Sequence, residues 1–315
     1  MSSTLRQIRN MAAETVKQLL HTSLVSARYA KRHNSNFIVT FHSVPPKERC
    51  RFEAILRYLE RNLKVVGLGE LVAQIQDEAP TREGGLAALT FDDGLKNHAQ
   101  VVYPVLKELG MPASFYVCPE LMDRKRSIWT WEVKSRLDRL SEKSRQGFFE
   151  LAGVTGDTQE IVKWMKTIPV ERREQIEKEI GDCTPDFEFT EDERHRFEPI
   201  SWQELQELDP SLITIGSHTS THIDVPQAKP ERLERELAVS KQILESRLNR
   251  KVEHFAYPNG NFTLEVLPAV GRYYRTALTT QKGAVRRGDN LLTLRRIHAD
   301  PNLARFSWDL AVNAR

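Results

Sequence analysis

The sequence predicts an α/β fold, a parallel sheet or barrel wrapped by helices, and three observations carry that prediction. Short apolar runs of strand character alternate with helical stretches along most of the chain, the pattern of β–α units that build a parallel sheet. The run Leu86 to Phe91 ends in two adjacent carboxylates, Asp92 and Asp93, and chemistry at the carboxyl ends of strands is what such a barrel offers. With 315 residues, 40% of them hydrophobic, the chain has the material for one large barrel with elaborations.

Residues 1–35 read as a helix, because Leu5, Ile8, Ala12, Val16, Leu19, Leu20 and Leu24 recur at helical spacing with Arg6, Arg9, Lys17 and Lys31 among the polar positions. It is expected either to pack on the domain or to rest as a basic amphipathic helix on an anionic membrane. Residues 36–315 form the barrel. Asn36 to His42 is a buried strand that ends on a polar residue and is broken by Ser43-Val44-Pro45-Pro46. A helix from about Arg51 to Asn62, a strand at Lys64 to Val66 and the strand Leu86 to Phe91 follow. Ala99 to Leu109 reads as helix, Gly110-Met111-Pro112 breaks it, and Ala113 to Val117 is the next strand.

Residues 119–200 are charge-rich and helical in pattern, interrupted by Gly153, Gly156 and the turn-prone 181–185, and read as an insertion above the barrel. Trp129, Trp131 and Trp164 within it read as packing material, although aromatic faces also make platforms for sugar rings. Beyond it, Trp202 to Leu208 is helical and Leu212 to Ile215 a strand. Residues 230–248 form a long helix with Leu233, Leu237, Ser240 and Leu244 on one face and its charges on a solvated one.

The balance of 46 basic and 43 acidic residues, +3 overall, gives no basic footprint for nucleic acid. Cys50, Cys118 and Cys183 stand in no C-x-x-C spacing, so neither a disulfide framework nor a cysteine metal knuckle is expected, and a reducing compartment fits. No apolar run is long enough to span a bilayer and no secretion signal opens the chain, which predicts a soluble, cytoplasmic protein whose route to a membrane surface would be residues 1–35.

Two adjacent carboxylates at the mouth of a buried strand repel each other, and the pair is tolerable when a cation holds one and the other has a charge-dependent task. His218 and His222, four residues apart, fall on one face if the segment turns helically, the spacing two imidazoles need to grip one divalent ion. One Asp with two His leaves open positions for water, as in catalytic rather than structural sites.

Three motifs carry a resemblance. Thr90-Phe91-Asp92-Asp93-Gly94, Ser217-His218-Thr219-Ser220-Thr221-His222 and the variant Phe255-Ala256-Tyr257-Pro258-Asn259-Gly260 resemble those of the polysaccharide deacetylase family, the metal-dependent NodB-like carbohydrate esterases. The resemblance spans roughly residues 37–300 apart from the insertion. It implies a distorted (β/α) barrel, a divalent ion such as Zn²⁺ held by Asp93, His218 and His222, and Asp92 as general base. It also implies an N-acetylated glycan or sugar conjugate as substrate, with Tyr257, Pro258, Asn259 and Gly260 lining the acyl group and the Asn259 N–H facing the oxyanion. The wider setting it suggests is bacterial surface or exopolysaccharide synthesis.

Two departures from the family pattern matter. No C-terminal Leu-x-His acid motif is present, and Ala256 stands where the third motif normally carries an arginine. Circularly permuted members, similar to the poly-N-acetylglucosamine deacetylases, carry the acid strand at the start, which Phe37 to His42 matches and which makes His42 the expected general acid. The same comparison matches Leu294-Arg295-Arg296-Ile297 to the strand that supplies the arginine, placing Arg296 on Asp92. His298 is the competing acid, while His98, His195 and His254 read as structural or surface residues. Two rival functions stay open: a related carbon–nitrogen hydrolase acting on a small cyclic amide, favoured by a short cationic or closed pocket, and a non-catalytic carbohydrate-binding relative. An open groove with exposed aromatics favours the glycan.

Overall fold

Among the described residues eight parallel strands form the frame: β1 Phe37–Phe41, β2 Lys64–Val66, β3 Leu86–Phe91, β4 Ala113–Val117, β5 Ile213–Ser217, β6 His254–Ala256, β7 Thr276–Leu278 and β8 Ile297–His298. The computed structural model describes residues 35–76 and 85–314; the helix expected over residues 1–35 therefore lies outside the described residues except for Ser35. The strand order is β7-β6-β5-β4-β3-β1-β8. A parallel sheet covered on both faces requires unbroken apolar runs, and every residue of β1, β3 and β4 is buried.

Two irregularities distort the barrel. One flank of β3 changes neighbour midway: β2 takes its first half, with Val66 opposite Ala88, and β4 its second, with Phe91 opposite Phe115. The ring is then drawn shut by one segment, in which Leu294 bridges to Leu278 of β7 while Ile297 pairs with Val39 of β1. Because side chains alternate along a strand, one set from each strand packs inward. Ile38, Ala88, Tyr116, Ala256 and Leu278 meet Leu294 in an inner cluster. Gly216 makes room for it, since a Cβ there would come within 2.4 Å of the Tyr116 ring. The alternate set, Phe41, Phe91 and Phe115, faces the helices, with Phe41 stacked on Phe91 at 4.8 Å and Phe52 of helix Arg49–Asn62 meeting both edge-on.

The insertion consists of helices Pro119–Arg124, Trp129–Arg139, Glu142–Ala152, Thr158–Met165, Val170–Asp182 and Glu191–Phe197, with a small core of its own around Leu137, Ile161, Met165 and Ile176. Trp129 belongs to that core, under the Arg173 guanidinium at 4.7 Å. The helix expected over Ala99 to Leu109 starts as a π-turn, His98–Val102, before the α-helix Tyr103–Leu109. Pro104 has no N–H to continue the regular ladder, and the Tyr103 N–H reaches back to the His98 carbonyl. Among the described residues no helix is long and apolar enough to cross a membrane.

Candidate metal centre and active site

The functional side chains stand where the strands end. Asp92 follows β3, its N–H donating to the Phe41 carbonyl at 3.1 Å. The chain then turns sharply through Asp93 (φ 80°) and Gly94 (φ 60°). A Cβ on Gly94 would sit 2.9 Å from the Val117 side chain, so this turn needs glycine for both conformation and space.

Arg296, directly ahead of β8, enters the barrel interior and grips Asp92 with both arms: Nη1 donates to Oδ1 at 2.8 Å and Nη2 to Oδ2 at 2.7 Å. Its Nε donates to the Thr279 carbonyl at 2.8 Å. Both side chains are almost wholly buried, 0% exposed for Arg296 and 3% for Asp92. Burial works to raise the Asp92 pKa, but the charge and hydrogen bonds of Arg296 outweigh it and hold the carboxyl below its ordinary value. The guanidinium that Ala256 cannot supply thus reaches this carboxylate from another strand.

Asp93 faces two imidazoles. His218 Nε2 and His222 Nε2 each lie 3.5 Å from Asp93 Oδ1, and all three side chains are buried. His218 Nδ1 donates to the Ala256 carbonyl at 2.7 Å, which leaves the Nε2 lone pair directed at the cluster. His222 has its pKa lowered to about 4, chiefly by burial, so it is neutral at pH 7, as a metal-ligating imidazole must be. Donors around one tetrahedral ion at about 2.0–2.1 Å are separated by about 3.4 Å; the spacing and chemistry of this set fit a zinc-type ion.

The segment carrying these histidines is not helical. It is a turn with Thr219 (φ 62°) and His222 (φ 56°) in the left-handed region, so the four-residue spacing serves a loop. The loop is held from below by Glu236 of helix Pro230–Leu248. One carboxylate oxygen accepts the N–H groups of Ser220 and Thr221 at 2.9 Å each and the other accepts the Thr221 hydroxyl at 2.7 Å. Glu236 is 3% exposed, which corrects the expectation that the charges of this helix are all solvated. Its place three residues after Leu233 and four before Ser240 is the sequence signal that puts it on the inner face.

On the other side of Asp92 stand His42 and His298, ring centroids 5.6 Å apart. His98 braces the first of them: its Nδ1 accepts the Leu95 N–H at 3.3 Å, so its Nε2 donates to the His42 carbonyl at 3.0 Å. Burial lowers the His98 pKa to about 4, keeping that bracket neutral. In the third motif Asn259 adopts a left-handed conformation (φ 57°, ψ 2°) and its amide donates to Asp224 at 2.6 Å. Asn259 and Gly260 border the cavity, whereas Tyr257 and Pro258 stand behind its wall, the Tyr257 hydroxyl donating to the Leu292 carbonyl at 3.0 Å.

All of this opens into a cavity of about 580 Å³ lined by His42, Asp92, Asp93, His218, His222 and His298. The insertion supplies the facing wall with Trp131, Gln159, Lys166, Arg196 and Phe197. Trp131 is stacked on Phe197 at 4.8 Å with planes 8° apart, so this tryptophan, read from sequence as packing, also lines the site.

The family model described as polysaccharide deacetylase matches residues 79–277, more than half of the chain. The protein YxkH of Bacillus subtilis (strain 168), assigned by name to the polysaccharide deacetylases, is 23% identical over 264 residues, 83% of this chain and 67% of its own. The Streptococcus pyogenes deacetylase PplD, solved with acetate, superposes with a TM-score of 0.59 at 18% identity, over 89% of this chain and 98% of that one. IcaB from Ammonifex degensii gives 0.59 at 18% identity over 88% and 97% of the two chains. The BpsB deacetylase domain from Bordetella bronchiseptica gives 0.56 at 15% over 85% and 97%. The strand order, the sharp Asp92-Asp93-Gly94 turn and the family match converge: this chain belongs to the polysaccharide deacetylase family, a family of hydrolytic N-deacetylases.

Proposed function

We propose that this protein is a metal-dependent hydrolase that removes N-acetyl groups from a sugar or glycan. The observation that carries the reading is the pairing, in one cavity, of a buried arginine-clamped carboxylate with a neighbouring cluster of one carboxylate and two imidazoles. Asp93, His218 and His222 would hold a divalent ion, zinc or a similar transition metal by the nature of the donors, and that ion when bound would supply a more acidic water and polarisation of an acyl oxygen. Asp92, kept ionised and aimed by Arg296, accepts the proton of the attacking water. The Asn259 N–H donates to the oxygen on which charge develops. As the carbon–nitrogen bond breaks, His42 delivers a proton to the departing amine nitrogen, and acetate leaves.

The stacked Trp131 and Phe197 in the cavity wall support a glycan. The second reading, a carbon–nitrogen hydrolase for a small cyclic amide, draws on two cations of the same cavity, Arg51 and Lys166. Acetate release from a panel of N-acetylated glycans, run beside ring opening of small cyclic amides, separates the two. Elemental analysis should find about one divalent ion per chain, with strong loss in His218→Ala and His222→Ala. Full occupancy in both variants would sink the metal assignment.

The acid is tested separately. His42→Ala should slow the chemical step by roughly 10²- to 10⁴-fold with metal content intact, and His298→Ala clearly less. Single-turnover acetate release should therefore be lost in His42→Ala and largely kept in His298→Ala. If His298→Ala is instead the variant that loses it, the acid comes from β8 and the assignment to β1 is wrong.

A further inference from the structure

Two cations line the cavity, Lys166 half-buried and Arg51 exposed. The cavity's other charged lining groups are already engaged: Asp92 by Arg296 at 2.7 Å, Asp93 by two imidazoles at 3.5 Å, and Glu48 by Arg196 at 2.9 Å. Arg51, on helix Arg49–Asn62, and Lys166, directly after helix Thr158–Met165, line the same cavity from opposite parts of the chain. Neither side chain has a hydrogen bond or ion pair among the described residues. Lys166 is half-buried, and burial pulls its amine pKa down against the opposing pull of Asp224 and Asp93. An ammonium partly withdrawn from water without a hydrogen-bond acceptor is unfavourable in the free protein, and an anionic ligand removes that penalty.

We propose that the substrate is an acidic glycan, in which the N-acetylated sugar is joined to a carboxylate- or phosphate-bearing group, and that Lys166 and Arg51 bind that anion. The inference rests on the deacetylase reading above and adds the class of chain the cavity accepts. A neutral poly-N-acetylated chain offers these cations no acceptor beyond hydroxyls and amides, and every amine uncovered on it would be repelled by them. A carboxylate or phosphate accepts charge-assisted hydrogen bonds, about twice as strong as neutral ones, and Arg51 can meet either through two parallel N–H groups. The Trp131–Phe197 stack completes the wall with a surface for a sugar face.

The test measures acetate release by the metal-loaded full chain on three substrates. These are a neutral N-acetylglucosamine oligomer, an oligomer alternating N-acetylglucosamine with glucuronate, and an N-acetylglucosamine diphosphate ester. At least one acidic substrate should exceed the neutral oligomer in kcat/KM by about tenfold, and the better of the two identifies the anion as uronate or phosphate. That preference should shrink as salt rises. Lys166→Met and Arg51→Met should each lower the acidic-to-neutral ratio about tenfold, the weight of one charge-assisted contact, chiefly through KM and with metal content as in wild type. Lys166→Arg should restore most of it. The proposal is overturned if the neutral oligomer is the better substrate, or if both variants leave the ratio unchanged; acetate release in those experiments would leave the deacetylase reading standing. No acetate from any of the three, nor from the wider glycan panel, would remove that reading and this one with it.

Discussion

Asp92→Asn is expected to reduce turnover by roughly 10²- to 10⁴-fold or more while retaining the metal ion, because it deletes the proton acceptor and none of the three ligating side chains. Asp93→Asn should lose the ion as well as the activity. The two residues are adjacent and equally acidic, and their environments differ in kind: Asp92 faces a guanidinium at 2.7–2.8 Å, Asp93 two imidazole nitrogens at 3.5 Å. Metal content and acetate release, measured on both variants, decide between them. Loss of the ion in Asp92→Asn with retention in Asp93→Asn would reverse the roles.

Arg296→Met should be the most destabilising substitution at the site. Removing one partner of a buried ion pair leaves the other charge without compensation in a dry interior, a loss of about 3–5 kcal/mol. The side chains are 0% and 3% exposed, so solvent cannot take over. The pH dependence gives the sign. In the wild type the Asp92 pKa is lowered by folding, so its contribution is fully present above the unfolded-state value of about 3.9 and is lost as pH falls through the folded value. In Arg296→Met the largest influence opposing burial is gone, so burial raises that pKa and the variant loses stability as pH rises above about 4. The gap between the two proteins in urea unfolding should therefore widen from pH 3 to pH 6. The double variant Asp92→Asn/Arg296→Met, which buries no charge, should be more stable at neutral pH than Arg296→Met alone. Equal stabilities would show that packing of the arginine, not the ion pair, sets the cost.

Much of this was legible in the chain. Strand β3 was readable to the residue because six buried positions in a row, Leu86 to Phe91, leave only one local structure that satisfies them. The motif pairs were readable because two carboxylates side by side and two imidazoles at short spacing have few stable uses other than a cation. The match of Leu294 to Ile297 drew Arg296 to Asp92 across 204 positions, and the geometry meets it with two hydrogen bonds.

What escaped the linear reading depends on which face of an element meets which neighbour. The His218–His222 spacing suits a helix and a turn equally. The turn prevails because Glu236, sixteen residues beyond Ser220, accepts the N–H groups of Ser220 and Thr221 between the left-handed Thr219 and His222, and a carboxylate on a charged helix looks the same from the sequence whether it faces water or the loop below. Tyr257 and Pro258 share a motif with Asn259, yet the left-handed residue that follows turns Asn259 and Gly260 toward the cavity and leaves the other two in the wall. Likewise the place of Lys166, Trp131 and Arg51 on one cavity arises from an insertion folding back over the strand ends. The local pattern of side chains specifies elements and the chemistry they can bear, because burial and charge act on each residue where it stands. Partnership across the barrel is set by packing between distant segments, which no short window of sequence contains.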